Sequence, residues 1–403
     1  MANILVIGEN PRLQTGQGRI GHDVAMALYK AGHGVFYNAW CPSEVNRNKK
    51  LPFNVIYAVE DYGSAMFGDL IRENRPDIVL TIGDIWNFAY IGQSPVRGLF
   101  KWVSYCAVDG TGYGGGMPKH HATHLGHADH IITYCEYGRR AVIHTIPEVT
   151  NRIERIYHGI NEKVFHPISK EERTKLRQEL NIPPDKFLCL YTGRTHFRKS
   201  LADVMKAYKI LMDCGHDKDY GLWINSNFAD PQGYNINMLI AEFGLQNKVY
   251  TFKQMSEAST PLLMMTEKEY NLLFGIADCL INVAGEGFGY NVAEAMMAKL
   301  PVITIDNAAT GELAGNGRGI KVKPTAYITG MELTERPLAN PKDIAKAIIE
   351  MKSMKAEKRN AMVDKAYDWA KENLSQGVID MQWKKVIDKI EHPLKYNVVM
   401  EMV

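Results

Sequence analysis

The sequence predicts an α/β fold made of two Rossmann-like domains with parallel sheets, and three observations lead to that prediction. Short β-branched runs alternate with helix-sized amphipathic stretches in the first half, and the second half repeats the alternation. Strands separated by helix-sized crossovers pair in parallel. The 403 residues are long for one domain and natural for two, and a turn-rich join at 159–167 separates the halves. We therefore expect an N-terminal domain at 1–165 and a second domain at 166–384.

Thirteen short runs rich in β-branched and aromatic residues are predicted to be strands, because such side chains favour a pleated backbone. The runs are 4–7, 35–37, 55–59, 77–82, 102–107, 131–134, 153–157, 187–192, 221–225, 249–252, 279–283, 302–305 and 319–322. Helices are predicted where apolar residues recur at helical spacing. These segments are 21–31, 64–74, 171–180, 201–211 and a tail at 355–390, in which Trp369 and Trp383 are expected to anchor packing.

Composition and charge are those of an ordinary soluble protein. A net charge of +2 predicts no strong affinity for polyanions, although a local basic groove is compatible with it. The longest apolar stretches are strand-sized, well short of the ~20 residues of a membrane helix. The start lacks the basic flank and cleavage site of a signal peptide. Six scattered cysteines form no Cys-x-x-Cys pair, so we expect reduced thiols and a cytoplasmic location.

The most informative segment is a glycine-rich loop at 285–289, between a predicted strand and a predicted helix that begins near Tyr290. Glycines let backbone N–H groups approach a ligand, and the helix directs its positive end to the same place. Glu286 precedes the helix and Glu294, eight positions later, is expected in its first turn. Amides suit phosphate and carboxylates suit sugar hydroxyls, so a sugar diphosphate would use both. The residues expected to line this site are Gly287, Phe288, Gly289, Tyr290, Asn291 and Val292.

A second candidate is the loop that follows the strand 187–192. Gly193 opens the loop, and Arg194 and Lys199 lie five positions apart across it. A fork-shaped donor and a point charge that converge at a strand end suit a pyrophosphate. The alternative is a pair of solvated charges, with Ser200 as a helix N-cap.

The spacing Gly16-x-Gly18-x-x-Gly21 formally matches a dinucleotide-binding fingerprint, but its context argues against a nicotinamide cofactor. The predicted strand ends at Gly8, which leaves seven residues before the first glycine, whereas the fingerprint needs a tight turn directly after the strand. The second strand also lacks a following acidic residue for a ribose.

Asp109 ends another predicted strand, and a glycine-rich run and five histidines follow it. The histidines are His120, His121, His124, His127 and His130. Two of them share a helical face, which is compatible with a metal, but no carboxylate or cysteine in the run completes an ordered ligand set. We therefore expect no metal site. Capping of the loop that follows is one interpretation of Asp109, and it stays open.

The segment Gly285 to Met296, with the Pro-Val-Ile run at 301–303, resembles the Glu-x7-Glu signature of retaining glycosyltransferases of family four, which have the GT-B fold. Gly193-Arg194 with Lys199 resembles that family's Gly-Arg…Lys-Gly element, except that Ser200 replaces the glycine. Weaker similarities lie at 134–140, 157–167 and 311–312, so the resemblance spans about residues 3 to 385.

The resemblance implies two domains that face each other across a cleft, with the tail at 385–403 packing back on the first domain. It implies that Arg194 and Lys199 neutralise the donor diphosphate, that Glu286 holds sugar hydroxyls and that Glu294 holds the ribose. Further implied roles are Asp109 beside the donor sugar or acceptor hydroxyl, Lys253 beside the base, and Gly16 and Gly18 in a flexible loop that faces the donor phosphate.

The implied function is metal-independent, retaining transfer of a sugar from a UDP- or GDP-type donor to an acceptor hydroxyl, with no cofactor besides the donor. The acceptor stays open among a saccharide, a lipid-linked sugar and a modified nucleic acid. Three rivals stay open as well: a DNA-modifying glycosyltransferase, a sugar-nucleotide epimerase of GT-B shape, and a protein that binds nucleotide sugars without turnover.

Overall fold

The chain forms two compact units in the computed structural model, which describes residues 1–41, 50–58, 61–216, 218–228, 230–252 and 265–390. The first unit consists of Met1–Val108, Gly115–Tyr157 and the chain from Gly377 onward. The second consists of Asp109–Gly114 and His158–Gln376. The main boundary thus follows Tyr157 rather than residue 165, and the return to the first unit begins at 377 rather than 385.

The first unit is built on a seven-stranded sheet in which the paired strands are parallel. Its spatial order is β3-β2-β1-β4-β5-β6-β7, the doubly wound pattern that alternating strands and helices predict. Every residue of the fourth strand is buried, as expected for a sheet covered on both faces. The strands are β1 (Asn3–Glu9), β2 (Gly34–Trp40), β3 (Asn54–Tyr57), β4 (Ile78–Gly83), β5 (Lys101–Cys106), β6 (His130–Thr133) and β7 (Ile153–Arg155).

The first unit's helices between these strands include one that begins earlier than predicted. The helix expected at 21–31 spans residues 16–30, because Thr15 is an effective N-cap whose hydroxyl accepts from Gly18 N–H at 3.0 Å. The helices are α1 (Gly16–Lys30), α2 (Phe67–Asn74), α3 (Ala89–Gly92), α4 (Lys119–Leu125) and α5 (Glu136–Thr145).

The second unit is built on a six-stranded sheet of parallel pairs in the order β10-β9-β8-β11-β12-β13. The two central strands, β8 and β11, are fully buried. The predicted strands 187–192 and 302–305 are matched at both ends. The strands are β8 (Phe187–Thr192), β9 (Tyr220–Asn225), β10 (Val249–Tyr250), β11 (Cys279–Asn282), β12 (Val302–Ile305) and β13 (Ile320–Val322).

A two-stranded antiparallel hairpin lies outside this sheet, and the sequence analysis did not predict it. It consists of β14 (Pro324–Thr329) and β15 (Glu335–Ala339). A proline in each strand weakened the strand signal, since proline lacks the N–H that a ladder uses. Two short runs joined by a loop that begins with Gly330 were nevertheless a usable hairpin signal.

The helices of the second unit begin at residues with side-chain caps in several cases. Ser169 caps α6 by accepting from Glu172 N–H at 3.1 Å, and Thr266 forms a capping box with Glu269. The helices are α6 (Lys170–Glu179), α7 (Leu201–Asp213), α8 (Ile236–Glu242), α9 (Glu267–Ile276), α10 (Tyr290–Met297), α11 (Ala308–Leu313), α12 (Pro341–Ser353) and α13 (Ala356–Leu374).

The predicted helical tail is two helices, α13 and α14 (Gln376–Lys389), separated at Ser375, which bridges to Ile160. Within the first unit, the ring of Trp383 packs 4.8 Å from that of Tyr105, so α14 belongs to that unit by its core as well as by its chain path. Among the described helices, none combines the length and apolarity that crossing a membrane requires. Two parallel, doubly wound sheets with a returning C-terminal helix confirm the predicted fold class.

Candidate functional site

The candidate site of the second unit lies where β8, β9 and β11 end. These strands are neighbours in a parallel sheet, so the loops after them meet at one edge. Asn291 ties two of the ends together: its Nδ2 donates to Thr192 O at 3.0 Å, and its Oδ1 accepts from Asn282 at 2.8 Å. Asn291 therefore lies at the predicted site, where its side chain links the ends of β8 and β11.

The glycine-rich loop is fixed by the neighbouring loop and helix. Gly289 has φ +89°, and an added Cβ would lie 2.8 Å from Thr310 Cγ2, so this position requires glycine on two grounds. Ala309 N–H donates to Glu286 O at 3.2 Å, and the Thr310 hydroxyl donates to Ala284 O at 3.1 Å. These bonds hold the backbone around Glu286 in one shape before any ligand arrives.

The aromatic residues of this loop pack against a residue that the sequence analysis did not select. Phe288 is buried, and its ring lies 4.4 Å from the His158 ring. Tyr290 stacks on His158 at 5.1 Å with an interplanar angle of 21°. The side chains of Phe288 and Tyr290 thus shape the loop. The Val292 N–H donates to Gly289 O at 3.0 Å and is therefore engaged within the first turn of α10.

The central polar contact of the site is an ion pair between Lys199 and Glu286. Both side chains are only 17% exposed, although they are 87 positions apart in the sequence. Burial lowers the pKa of Lys199, while the Glu286 carboxylate acts in the opposite direction. A half-buried pair of this kind is costly to break from one side, because the remaining charge stays partly desolvated. The structure thus joins two of the residues that the sequence selected.

Two arginines that the sequence analysis missed extend this pair into a row of alternating charges. Arg198 Nη1 lies 3.9 Å from Glu286 Oε2 and 3.8 Å from Asp109 Oδ2. Arg336 Nη1 lies 2.6 Å from the same Asp109 oxygen. Three cations therefore face two carboxylates. Arg198 was visible beside Lys199 in the sequence, whereas Arg336 is on the unpredicted hairpin and carried no local signal.

Arg194, the other half of the predicted clamp, has a different partner. Its guanidinium bonds Asp230 Oδ2 at 3.2 Å and Gln232 Oε1 at 3.0 Å, and its side chain is 56% exposed. The hydrogen bond from Arg194 lowers the pKa of Asp230. Arg194 and Lys199 thus lie near the two ends of the same loop, but the ion-pair partners that the structure describes for them differ.

The backbone after Lys199 corrects the capping alternative. Ser200 has φ 57° and ψ 26°, the left-handed conformation, and its side chain makes no capping hydrogen bond to α7. A side-chain N-cap normally sits on an extended residue, so Ser200 cannot act as one here. Ser200 occupies the position where the similar element has glycine, and it adopts the conformation that favours glycine.

Glu294 is placed differently from the prediction. It is the fifth residue of α10, whose first turn contains no acidic residue, and it is 1% exposed. The eight-residue spacing from Glu286 was counted correctly, but the helix begins at Tyr290 and carries Glu294 into its second turn, where it is buried. Lys253 lies outside the described residues.

The glycines of the first unit are not in a flexible loop, which corrects the interpretation drawn from the resemblance. Gly16 and Gly18 lie in the first turn of α1. A Cβ on Gly18 would lie 2.7 Å from Leu13 O, and one on Gly21 would lie 2.1 Å from the Tyr37 hydroxyl. These glycines permit close packing of helix, loop and strand.

The histidines near residue 120 lie close to one another in part: the rings of His120 and His121 are 3.9 Å apart. His121 is buried with its ring 4.9 Å from that of Trp86, and His130 Nε2 lies 3.3 Å from Glu154 Oε1. Partial burial lowers the pKa of His124, and the neighbouring His127 and His120 add to the shift.

Comparison with known proteins gives one family match over part of the chain and several solved structures with a similar fold. Residues 172–369 match the family described as "Glycosyl transferases group 1". The solved structure of HepE from Anabaena in complex with UDP and glucose is similar with a TM-score of 0.73 at 14% identity, over 96% of this chain and 100% of that one. Sucrose-phosphate synthase from Thermosynechococcus elongatus gives 0.73 at 16%, over 96% and 98%. A glycosyltransferase from Rickettsia africae gives 0.72 at 18%, over 96% and 99%.

These structural similarities show that the fold is GT-B. No curated protein matches the chain significantly. The family match covers Arg194, Lys199, Glu286 and Glu294, and it also contains the hairpin that carries Arg336.

Proposed function

We propose that this chain, a glycosyltransferase of the group 1 type, moves a sugar from a nucleoside diphosphate sugar to an acceptor hydroxyl with retention and without a metal ion. The observation that supports this most is the half-buried Lys199–Glu286 pair at the glycine-rich loop, inside the region that matches the family. A UDP-type donor is favoured over a GDP-type donor, since the similar structures include HepE with UDP and glucose and an Escherichia coli protein with UDP-2-fluoro glucose.

Binding of a donor would exchange the partners of the central pair. The diphosphate offers Lys199 an anion, and Glu286 is then released to accept hydrogen bonds from sugar hydroxyls. Arg194 is expected to leave Asp230 and join Lys199 on the phosphates, since its own side chain is 56% exposed and can change partner without being desolvated.

Charge stabilisation explains the proposed metal independence. Departure of the nucleoside diphosphate builds negative charge on its oxygens, and groups that stabilise this charge more in the transition state than before it accelerate the reaction. Lys199, Arg194 and Arg198 are cations suited to that task, and the amides at the start of α10 add hydrogen bonds.

Retention is proposed to proceed by attack from the face that the leaving group vacates. The bond from the anomeric carbon to the phosphate oxygen breaks, the bond to the acceptor oxygen forms, and the acceptor's proton passes to the leaving phosphate. Glu286 and Asp109 orient hydroxyl groups in this scheme, and Glu294 holds the ribose. The acceptor is proposed to be bound through the first unit, and a cytoplasmic location fits the free cysteines among the described residues.

Incubating the pure protein with a panel of UDP- and GDP-sugars, with and without excess EDTA, tests the proposal. We expect slow donor hydrolysis that survives EDTA and gives a sugar of unchanged anomeric configuration. Hydrolysis abolished by EDTA and restored by Mn²⁺ would contradict metal independence. A sugar that is inverted at a ring carbon other than the anomeric one would identify an epimerase. Nucleotide binding without turnover of any donor would identify a passive binder.

Substitution of the two glutamates sharpens the same experiment. Glu286→Gln should impair turnover more than nucleotide binding, because its carboxylate is proposed to contact the sugar. Glu294→Gln should weaken nucleoside diphosphate binding by roughly 1–3 kcal/mol, the value of a charge-assisted hydrogen bond. Glu242→Gln, on exposed α8, is the matched control and should change neither quantity. If all three variants show the same turnover and the same nucleotide affinity, the roles proposed for both glutamates are wrong.

A further inference from the structure

The hairpin of β14 and β15 lies directly beside the glycine-rich loop in the second unit. A Cβ on Gly285 would lie 3.1 Å from Pro337 Cδ and 3.2 Å from Asp109 O, so three segments meet there without spare room. Glu335 N–H also donates to Thr111 O at 2.7 Å. The hairpin therefore holds the segment 109–114 against the second unit, although this segment follows a strand of the first.

Arg336 is the charged link in this assembly. Its Nη1 lies 2.6 Å from Asp109 Oδ2 and 3.5 Å from the Asp109 carbonyl oxygen, and its side chain is 18% exposed. The next cation along the row, Arg198, is 3.8 Å from Asp109 and makes no hydrogen bond to it. Asp109 is therefore oriented mainly by Arg336, from a position 227 residues away in the sequence.

We propose that Arg336 is a positioning residue, which holds the Asp109 carboxylate beside the donor sugar and keeps it from pairing fully with Arg198. The inference rests on the proposed function and adds to it a role for the hairpin. The hairpin holds the backbone of this segment through the Glu335–Thr111 hydrogen bond, and Arg336 adds the contact that orients the carboxylate. Without Arg336, Asp109 turns to Arg198 and neutralises a cation that faces Glu286 and the leaving phosphates.

This role predicts a selective kinetic defect. In the proposed complex Lys199, Arg194 and the amides of α10 hold the bound diphosphate, and none of these groups touches Arg336 in the described contacts. Arg198 acts on the charge that builds as the diphosphate leaves, so its neutralisation by Asp109 slows turnover without weakening the bound nucleotide. Loss of Arg336 should therefore lower turnover and leave nucleotide affinity unchanged. If Arg336 only stabilised the fold, its loss would instead lower thermal stability and change turnover and nucleotide affinity together.

The experiment compares Arg336→Met, Arg336→Lys, Asp109→Asn and the Arg336→Met/Asp109→Asn double variant of the full chain. Donor hydrolysis gives kcat and KM, calorimetry gives the Kd of UDP and GDP, and thermal unfolding gives Tm. Arg72→Met is the matched control, because Arg72 makes an exposed 3.0 Å ion pair with Asp69 in the first unit. This control should leave kcat, Kd and Tm close to those of the wild type.

We expect Arg336→Met to lower kcat on the order of 10-fold with Kd within about twofold, and Arg336→Lys to retain part of the rate. The double variant should be no slower than the slower single variant, because both substitutions break the same Arg336–Asp109 ion pair. The inference would be overturned if the losses in kcat of the two single variants multiply in the double variant, or if kcat is unchanged in Arg336→Met. A rise in Kd together with a fall in Tm would also overturn it. If the wild type binds and hydrolyses no nucleotide sugar, the proposed function itself is wrong, and this inference falls with it.

Discussion

The first and second units each carry three closely spaced glycines, at 16–21 and 285–289, and the two motifs form different structures. In the first unit the glycines lie inside α1, and their missing side chains let the helix pack against a loop and Tyr37. In the second unit they form a loop, with Gly289 at positive φ, beside the half-buried Lys199–Glu286 pair. Glycine spacing alone therefore does not distinguish the two motifs, and the second differs from the first by lying beside convergent charges.

The largest predicted effect tests whether the charged partners of the second motif act on a diphosphate. Arg194→Ala and Lys199→Ala should each lower kcat/KM on the order of 10²-fold, because each removes charge that stabilises the leaving group. Lys206→Ala is the control, since Lys206 makes only an exposed pair with Asp203 on α7. Near-normal kinetics in both clamp variants, with folding intact by circular dichroism, would remove the clamp from the account.

Exchanging a glycine for alanine in each motif separates packing from binding. In Gly18→Ala, the new Cβ meets backbone oxygens of Leu13 and Asn10 at 2.7 and 2.9 Å, so stability should fall by about 1–3 kcal/mol with nucleotide Kd unchanged. In Gly289→Ala, the left-handed backbone and the contact with Thr310 should cost about 1–2 kcal/mol and also weaken nucleotide binding.

Urea unfolding and calorimetry of UDP and GDP give the two quantities. Gly98→Ala is the control in the first unit, because no atom of the described residues lies within 4 Å of its added Cβ. Loss of nucleotide affinity in Gly18→Ala, with Gly289→Ala unaffected, would reverse the assignment of the two motifs.

The smallest predicted effect concerns the residue that follows Lys199. Ser200→Gly should stabilise the chain by roughly 0.5 kcal/mol, because glycine removes the strain of φ 57° and loses part of that gain to the freedom of the unfolded chain. Ser200→Ala keeps the strain and should give no gain. Urea midpoints of the three proteins compare them directly, and a lower midpoint for Ser200→Gly than for Ser200→Ala would contradict this explanation.

Sequence patterns predicted the strands well because each depends on local composition. The buried runs of β8 and β12 are bounded by turn residues, so both ends were predicted correctly. The start of α1 was missed because three glycines suggested a loop, although Thr15 and its bond to Gly18 N–H begin a helix there. A strong cap outweighs the poor helix propensity of glycine near a helix start.

The candidate site was predicted only in the part that local motifs encode. Glu286 and Lys199 stand in recognisable segments, and the fold brought them together across 87 positions. The pair of Arg336 and Asp109 depends on a hairpin outside the sheet and on a short segment that follows β5 yet packs on the second unit. Such contacts are set by tertiary packing, which the spacing of residues in one sequence does not reveal.

The donor nucleotide is proposed to bind the glycine-rich loop at 285–289, and hydrogen exchange with and without UDP or GDP shows whether it does. The amides of 285–292 and 193–200 should exchange more slowly when the nucleotide is bound, because the ligand excludes water and stabilises both loops. Exchange in 22–30 of α1 should not change. Protection confined to the first unit, with 285–292 unaffected at saturating nucleotide, would contradict the account.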